Sequence, residues 1–211
     1  MENNQNDMKT TAINNTNKTQ KSIMGFDEVG RGPLAGPVVV AAVCLKYQTI
    51  PPKDIIIRDS KKMTVNQRMI ANRWIVQNTY WGIGQVSATI IDTIGINSAI
   101  VQAAHTALTQ IRQKAPISMY QIIIDGKDAW FKTAKTVIKG ESKHQEIAMA
   151  SIIAKHYRDQ IMAKLDIKYP DWKFDHHVGY ATKYHRTMIK QHGLIEEIHR
   201  TTFCQKIIQS S

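Results

Sequence analysis

The chain has 211 residues, 43% of them hydrophobic, and a formal net charge of +11. That length suits one domain with a full core, and no apolar run reaches the roughly 18 residues that a membrane-spanning helix needs. Cys44 and Cys204 are too few for a disulfide scaffold and lack metal-ligand spacing. The N-terminus has no apolar stretch of a secretory signal, so a cytoplasmic protein with reduced thiols is expected. The positive excess is spread through the chain rather than held in one arm. It fits a solubility surface, or a polyanion partner, most simply nucleic acid.

Residues 1–22, MENNQNDMKTTAINNTNKTQKS, are nearly all polar and predict a disordered tail. Everything from 23 to 211 is expected to form one domain. Residues 23–27 and 37–45 read as strands, the second rich in Val and Ala. Thr64 is a candidate N-cap for a helix over TVNQRMIANRWIVQ, and 79–88 reads as a strand. Residues 90–114 predict one long amphipathic helix with Ile94, Asn97, Val101, Ala104 and Leu108 near one stripe, ended by Pro116. SMYQIIIDG, 118–126, reads as a strand running into Asp125-Gly126, and KTVIKG as a short edge strand. Residues 143–167 keep a 3.6 period through Ile147, Ala150, Ile153, Ala154, Tyr157 and Ile161. A loop closed by Tyr169-Pro170, a helix near 182–192 and a C-terminal segment complete the chain. Strands alternating with helices predict an α/β fold, a mixed sheet with helices packed on it.

The acids fall in unusual places. Asp27 and Glu28 are adjacent carboxylates at the end of an apolar strand, followed by Gly30-Arg31-Gly32; Asp125 closes another apolar strand. Asp159 extends a helix face carrying Ala148, Ser151, Ile152 and Lys155. If that face packs on the sheet, three or four carboxylates converge and cannot all ionise without cations between them. Hard oxygen donors favour Mg²⁺ or Mn²⁺, and two such ions suit attack of water on a phosphodiester. Two of the acids also have a plainer reading. Asp125 before glycine suits a turn, and Asp159 suits an exposed helix acid or a partner for Lys155 or Arg158. Adjacent strand residues point to opposite faces, so Asp27 and Glu28 share a site only if the strand bends or ends there. Gly30 and Gly32 would permit that, and would let backbone approach phosphate or sugar while Arg31 supplies charge.

The run GFDEVGRGPLAGPVVVAAV resembles the N-terminal signature of type 2 ribonucleases H, the ribonuclease HII family. RDSKKMT, IIIDGK, KGESKHQEIAMASIIAKHYRDQIM, YPDWKFDHHVGYATKYH and IHRTTF follow in the family's order, covering residues 23 to about 203. The resemblance implies a ribonuclease H-like mixed sheet flanked by helices, with a small C-terminal helical part. It implies that Asp27, Glu28, Asp125 and Asp159 are the catalytic, metal-binding quartet. Gly30, Arg31 and Gly32 would read the 2′-hydroxyl, Lys61 would contact nucleic acid, and Tyr180 would pack on the sugar beside the cut. The implied substrates are RNA–DNA hybrids and duplex DNA carrying ribonucleotides, cut by a monomer with Mg²⁺ or Mn²⁺ and no membrane contact.

Three positions depart from the family pattern: Glu141 where Asp is usual after Lys-Gly, Val178 for Lys before Gly-Tyr, and Ala181 for Gly after that Tyr. None is one of the four acids; Val178 and Ala181 bear on duplex contacts near Tyr180. Two alternatives stand beside this reading. A non-catalytic nucleic-acid-binding protein would not need four acids in one cleft, and a general metal-dependent DNase would differ in substrate choice.

Overall fold

A computed structural model describes residues 22–46, 49–115 and 120–209. Among these, five strands form one sheet in the order β3-β2-β1-β4-β5. They are β1 (Ser22–Val29), β2 (Val38–Leu45), β3 (Thr79–Val86), β4 (Tyr120–Asp125) and β5 (Lys135–Val137). β1 pairs antiparallel with β2 and β2 with β3, whereas β1–β4 and β4–β5 are parallel. The mixed sheet expected from the sequence is therefore present. The expected tail lies outside the described residues except for Ser22, which opens β1, and so do Ser118 and Met119 of the expected fourth strand.

β2 explains the layering. Its alternate residues Val38, Val40, Ala42 and Cys44 join the core on one face, while Val39, Ala41 and Val43 join the core on the other. A strand buried on both sides must be apolar throughout, hence the unbroken VVVAAVCL. The first core is covered by α3 (Ile96–Lys114), the second by α1 (Val65–Asn78) and α4 (Gln145–Lys168). Thr64 does cap α1, in a reciprocal box with Gln67. α3 lies close on β3 because a Cβ at Gly84 would fall 1.9 Å from the Ala103 carbonyl oxygen.

The single helix expected over 90–114 is two. α2 (Ala88–Ile94) starts at an Ser87 cap and stops at Gly95, whose φ of 79° is the left-handed conformation that favours glycine. The break rotates the stripe: Ala99, Ile100, Ala103, Ala104, Ala107, Leu108 and Ile111 are buried, while Ile94 is exposed. The stripe proposed for α4 is placed correctly at Ile147, Ala150, Ile153 and Ala154. A third core gathers α5 (Phe174–His177), α6 (Lys183–His192) and α7 (Thr201–Ile208) through Trp172, Phe174, Met188, Ile189, Cys204 and Ile207, which also bury Leu34, Ala35 and Met162. This is the small C-terminal helical part.

Candidate active site

Two parallel strands bring the first carboxylates together. The register that sets Phe26 beside Ile124 places Asp27 next to Asp125, the last residue of β4, on the same sheet face. α4 covers that face closely, since a Cβ at Gly25 would lie 2.4 Å from the Glu146 backbone. Asp125 Oδ1 accepts a 2.6 Å hydrogen bond from the Gly140 amide. Asp27 is hydrogen-bonded by Ser151 of α4, whose hydroxyl meets that of Ser60 at 2.9 Å.

Glu28 reaches the site by a different route from the one expected. β1 neither bends nor ends at Asp27; it runs to Val29, paired with Val39. Glu28 therefore leaves on the opposite face, past the end of β4, and its own amide donates to Asp27 Oδ1 at 2.8 Å. Its carboxylate lies 3.7 Å from Arg31 Nη1, and Arg31 Nη2 bonds Asn97 at 2.7 Å and Asp128 at 2.9 Å. Arg31 is thus tied to the head of α3 and the loop after β4.

The electrostatics follow from this crowding. Burial pushes the Asp27 carboxyl up to about 8, with Glu28 and Asp125 raising it further and the bonds from Ser151 and the Glu28 amide opposing. Burial also lifts Glu28 to about 7, helped by Asp125 and opposed by Arg31 and by Lys61, an exposed residue of the turn Ser60–Lys62. Glu141 joins them. Its carboxyl is raised, first by burial and then by Asp125, and its Oε2 is buried with no hydrogen-bond partner among the described residues. The sequence marked Glu141 only as a departure; its position after Lys-Gly, next to the strand that pairs with β4, was the available signal.

Asp159 stands apart. It accepts a 2.6 Å bond from Lys155 and lies 3.6 Å from Arg68, two helical turns beyond Ser151, about 12 Å along α4. The ion pair with Lys155 is one of the plainer readings of this acid. Among the described residues no three His, Cys, Asp or Glu side chains form a ready-made metal-ligating group. By chemistry the acids nevertheless suit hard divalent cations: oxygen is their only donor, and their mutual repulsion is what a cation would relieve.

The glycines divide their roles. Gly30 (φ 90°) is buried, and a Cβ there would meet Arg158 Nε at 2.4 Å; Gly32 is exposed with nothing within 4 Å of its Cβ position. Gly30 thus makes room for a side chain of the protein, and only Gly32 leaves open space. Tyr180 is 43% exposed, in the turn following Val178 and Gly179, both at positive φ. Val178 and Ala181 pack against the C-terminal core.

The family model described as Ribonuclease HII matches residues 24–206. A ribonuclease HII of Fusobacterium nucleatum is 39% identical over 193 residues, covering 90% of this chain and 89% of the relative. The ribonuclease H2 structure from Pyrococcus horikoshii superposes with a TM-score of 0.72 at 25% identity, over 90% of this chain and 98% of that one. A Bst ribonuclease HIII solved in complex with Mn²⁺ gives a TM-score of 0.64 at 19% identity, over 90% and 71%. A model spanning nearly all the described residues and a relative of this identity and coverage leave one conclusion: the chain belongs to the ribonuclease HII family, endonucleases that degrade the RNA of RNA–DNA hybrids.

Proposed function

We propose that this endonuclease, besides cutting the RNA strand of hybrids, incises duplex DNA on the 5′ side of a single embedded ribonucleotide, leaving a 3′-hydroxyl and a 5′-phosphate. The observation that carries the hydrolytic part of this reading is the pairing of Asp27 with Asp125 at the ends of parallel strands, with Glu28 within their field; the substrate choice rests on the resemblance at Gly30-Arg31-Gly32 and Tyr180. Asp27, Glu28, Asp125 and Asp159 would hold two divalent cations, Mg²⁺ or Mn²⁺; the Mn²⁺ complex of the Bst neighbour supports the choice of metal class. Bound there, the cations would supply a nucleophilic hydroxide at neutral pH and stabilise charge on the leaving oxygen.

The chain's own groups do the rest. Ser151 and the Glu28 amide fix the orientation of Asp27, and the Gly140 amide fixes that of Asp125. Lys155 and Arg68 pair with Asp159, contacts that it would exchange for a cation. Gly30-Arg31-Gly32 and Tyr180 would read the ribose, and Lys61 a phosphate. One domain over 23–211, acting as a monomer in the cytoplasm, is the simplest form for this activity.

Asp125→Asn tests the assignment. It keeps the volume and the acceptor for the Gly140 amide but removes a charge. Cleavage of an RNA–DNA hybrid should fall at least 100-fold, with unchanged circular dichroism, and chelation should abolish wild-type turnover. Near-normal cleavage by the variant would remove Asp125 from the site.

A further inference from the structure

Two arginines are completely buried, Arg158 on α4 and Arg200 at the start of α7. Burying a guanidinium is costly unless its donors are satisfied, and side by side the cost rises: burial and the neighbouring Arg158 push Arg200 down to about 9. Their hydrogen bonds go to backbone carbonyls. Arg200 donates to Gly30 at 2.7 Å, to Arg31 at 3.1 Å and twice to Gly36, at 2.9 and 3.1 Å. Arg158 donates to Pro37 at 2.9 Å, Ala35 at 3.0 Å and Val178 at 2.8 Å. The segment from 30 to 37 and the turn before Tyr180 are therefore strung on two cations.

This arrangement has a directional consequence. In a trans peptide the carbonyl and the next amide point opposite ways, and no described peptide is cis. With the Gly30 and Arg31 carbonyls drawn inward to Arg200, the amides of Arg31 and Gly32 point away from it, and Gly32 is exposed. Two adjacent donors with a buried positive charge behind them suit a hydroxyl or phosphate oxygen. Arg158 adds the link between this loop and the Tyr180 turn: its bonds to Ala35 and Val178 join the two, alongside the Leu34 amide bond to the Gly179 carbonyl at 2.8 Å.

We propose that Arg200, supported by Arg158, is a positioning residue for ribose recognition, holding the Gly30 and Arg31 carbonyls inward so that the Arg31 and Gly32 amides face the substrate. This rests on the reading that the Gly30–Gly32 loop contacts the ribonucleotide. A purely structural arginine would glue the loop to α7 without affecting which sugar is accepted.

The test is a double-mutant cycle. Arg200→Lys keeps the cation but puts all its donors on one nitrogen and cannot reproduce the planar fork that spans the three carbonyls, and Gly32→Ala puts a methyl into open space without touching the fold. On a duplex with one ribonucleotide, each variant should lose at least 20-fold in kcat/KM. The double variant should be within about threefold of Gly32→Ala alone, since residues acting through one contact are not additive. Multiplying losses, or a Gly32→Ala variant as active as wild type, would overturn the inference. If Arg200→Lys fails to fold at the assay temperature, amide resonances decide. In the Asp125→Asn protein those of Arg31 and Gly32 should shift with the ribonucleotide duplex and not with all-DNA duplex; equal shifts or none would overturn it. A wild type that cuts no ribonucleotide duplex would instead bring down the functional reading itself.

Discussion

At Asp27 the folded chain works against ionisation: burial and Glu28 hold the carboxyl near 8, against about 4 in the unfolded chain. A group raised in this way contributes stability below about pH 4, and that contribution is lost as pH rises to 8; Glu28, raised to about 7, behaves alike. In chelator, Asp27→Asn should therefore raise Tm at pH 8.5 by roughly 4 °C or more, the equivalent of about 1–2 kcal/mol, and do much less at pH 5. Calorimetry at the two pH values checks this, and a lowered Tm at pH 8.5 would show that Asp27 is stabilising as a charge. The sequence exposes only some of these contacts. Asp27 and Asp125 were visible as acids closing apolar strands. The engagement of Asp159 by Lys155 and Arg68 was only half visible, since Lys155 is four residues away but Arg68 comes from α1. The role of Gly30 was hidden, because Arg158 is far off in sequence.

Among the elements, the turn between α5 and α6 hangs on a chain of neutral histidines. The Gly179 amide donates to His177 Nδ1, so His177 Nε2–H donates to the Trp172 carbonyl. With Nδ1 protonated, His185 bonds the Tyr180 carbonyl at 2.9 Å, and its Nε2 accepts from His199 Nε2–H at 3.0 Å while His199 Nδ1 accepts the Ile195 amide. Burial drives His185 and His199 down to about 4. Groups lowered in this way stabilise the fold above about 6.5, and the stability is lost as pH falls toward 4. His185→Asn keeps a donor for the Tyr180 carbonyl but does not titrate. Its loss of stability between pH 6.5 and 4.5 should be smaller than that of wild type by roughly 1–2 kcal/mol, measured by urea unfolding; equal losses would mean His185 is not titrating there. Unbroken apolar content located β2, which is buried on both faces, and period located α4, which is buried mainly along its first half. Period failed at α2–α3 because apolar residues continue across Gly95, and only the backbone turn there reveals the break.

For the whole molecule, a net charge of +11 supports a polyanionic substrate, and the sheet sets two acids at parallel strand ends under α4. Strands alternating with helices foretold the mixed sheet, but not that Glu28 would reach the site without a bend in β1; that depends on β1 outrunning β4, which only pairing reveals. A protein can tell ribose from deoxyribose only through the 2′-hydroxyl, and a site built around it leaves polar groups unpaired when it is missing. The most direct measurement is therefore incubation of the purified protein with Mg²⁺ or Mn²⁺ and two duplexes, one all DNA and one with a single ribonucleotide, with the products sized on a denaturing gel. Cleavage only of the second, 5′ to the ribonucleotide, is the predicted result; cleavage of both, or of neither while a long RNA–DNA hybrid is cut, would contradict it.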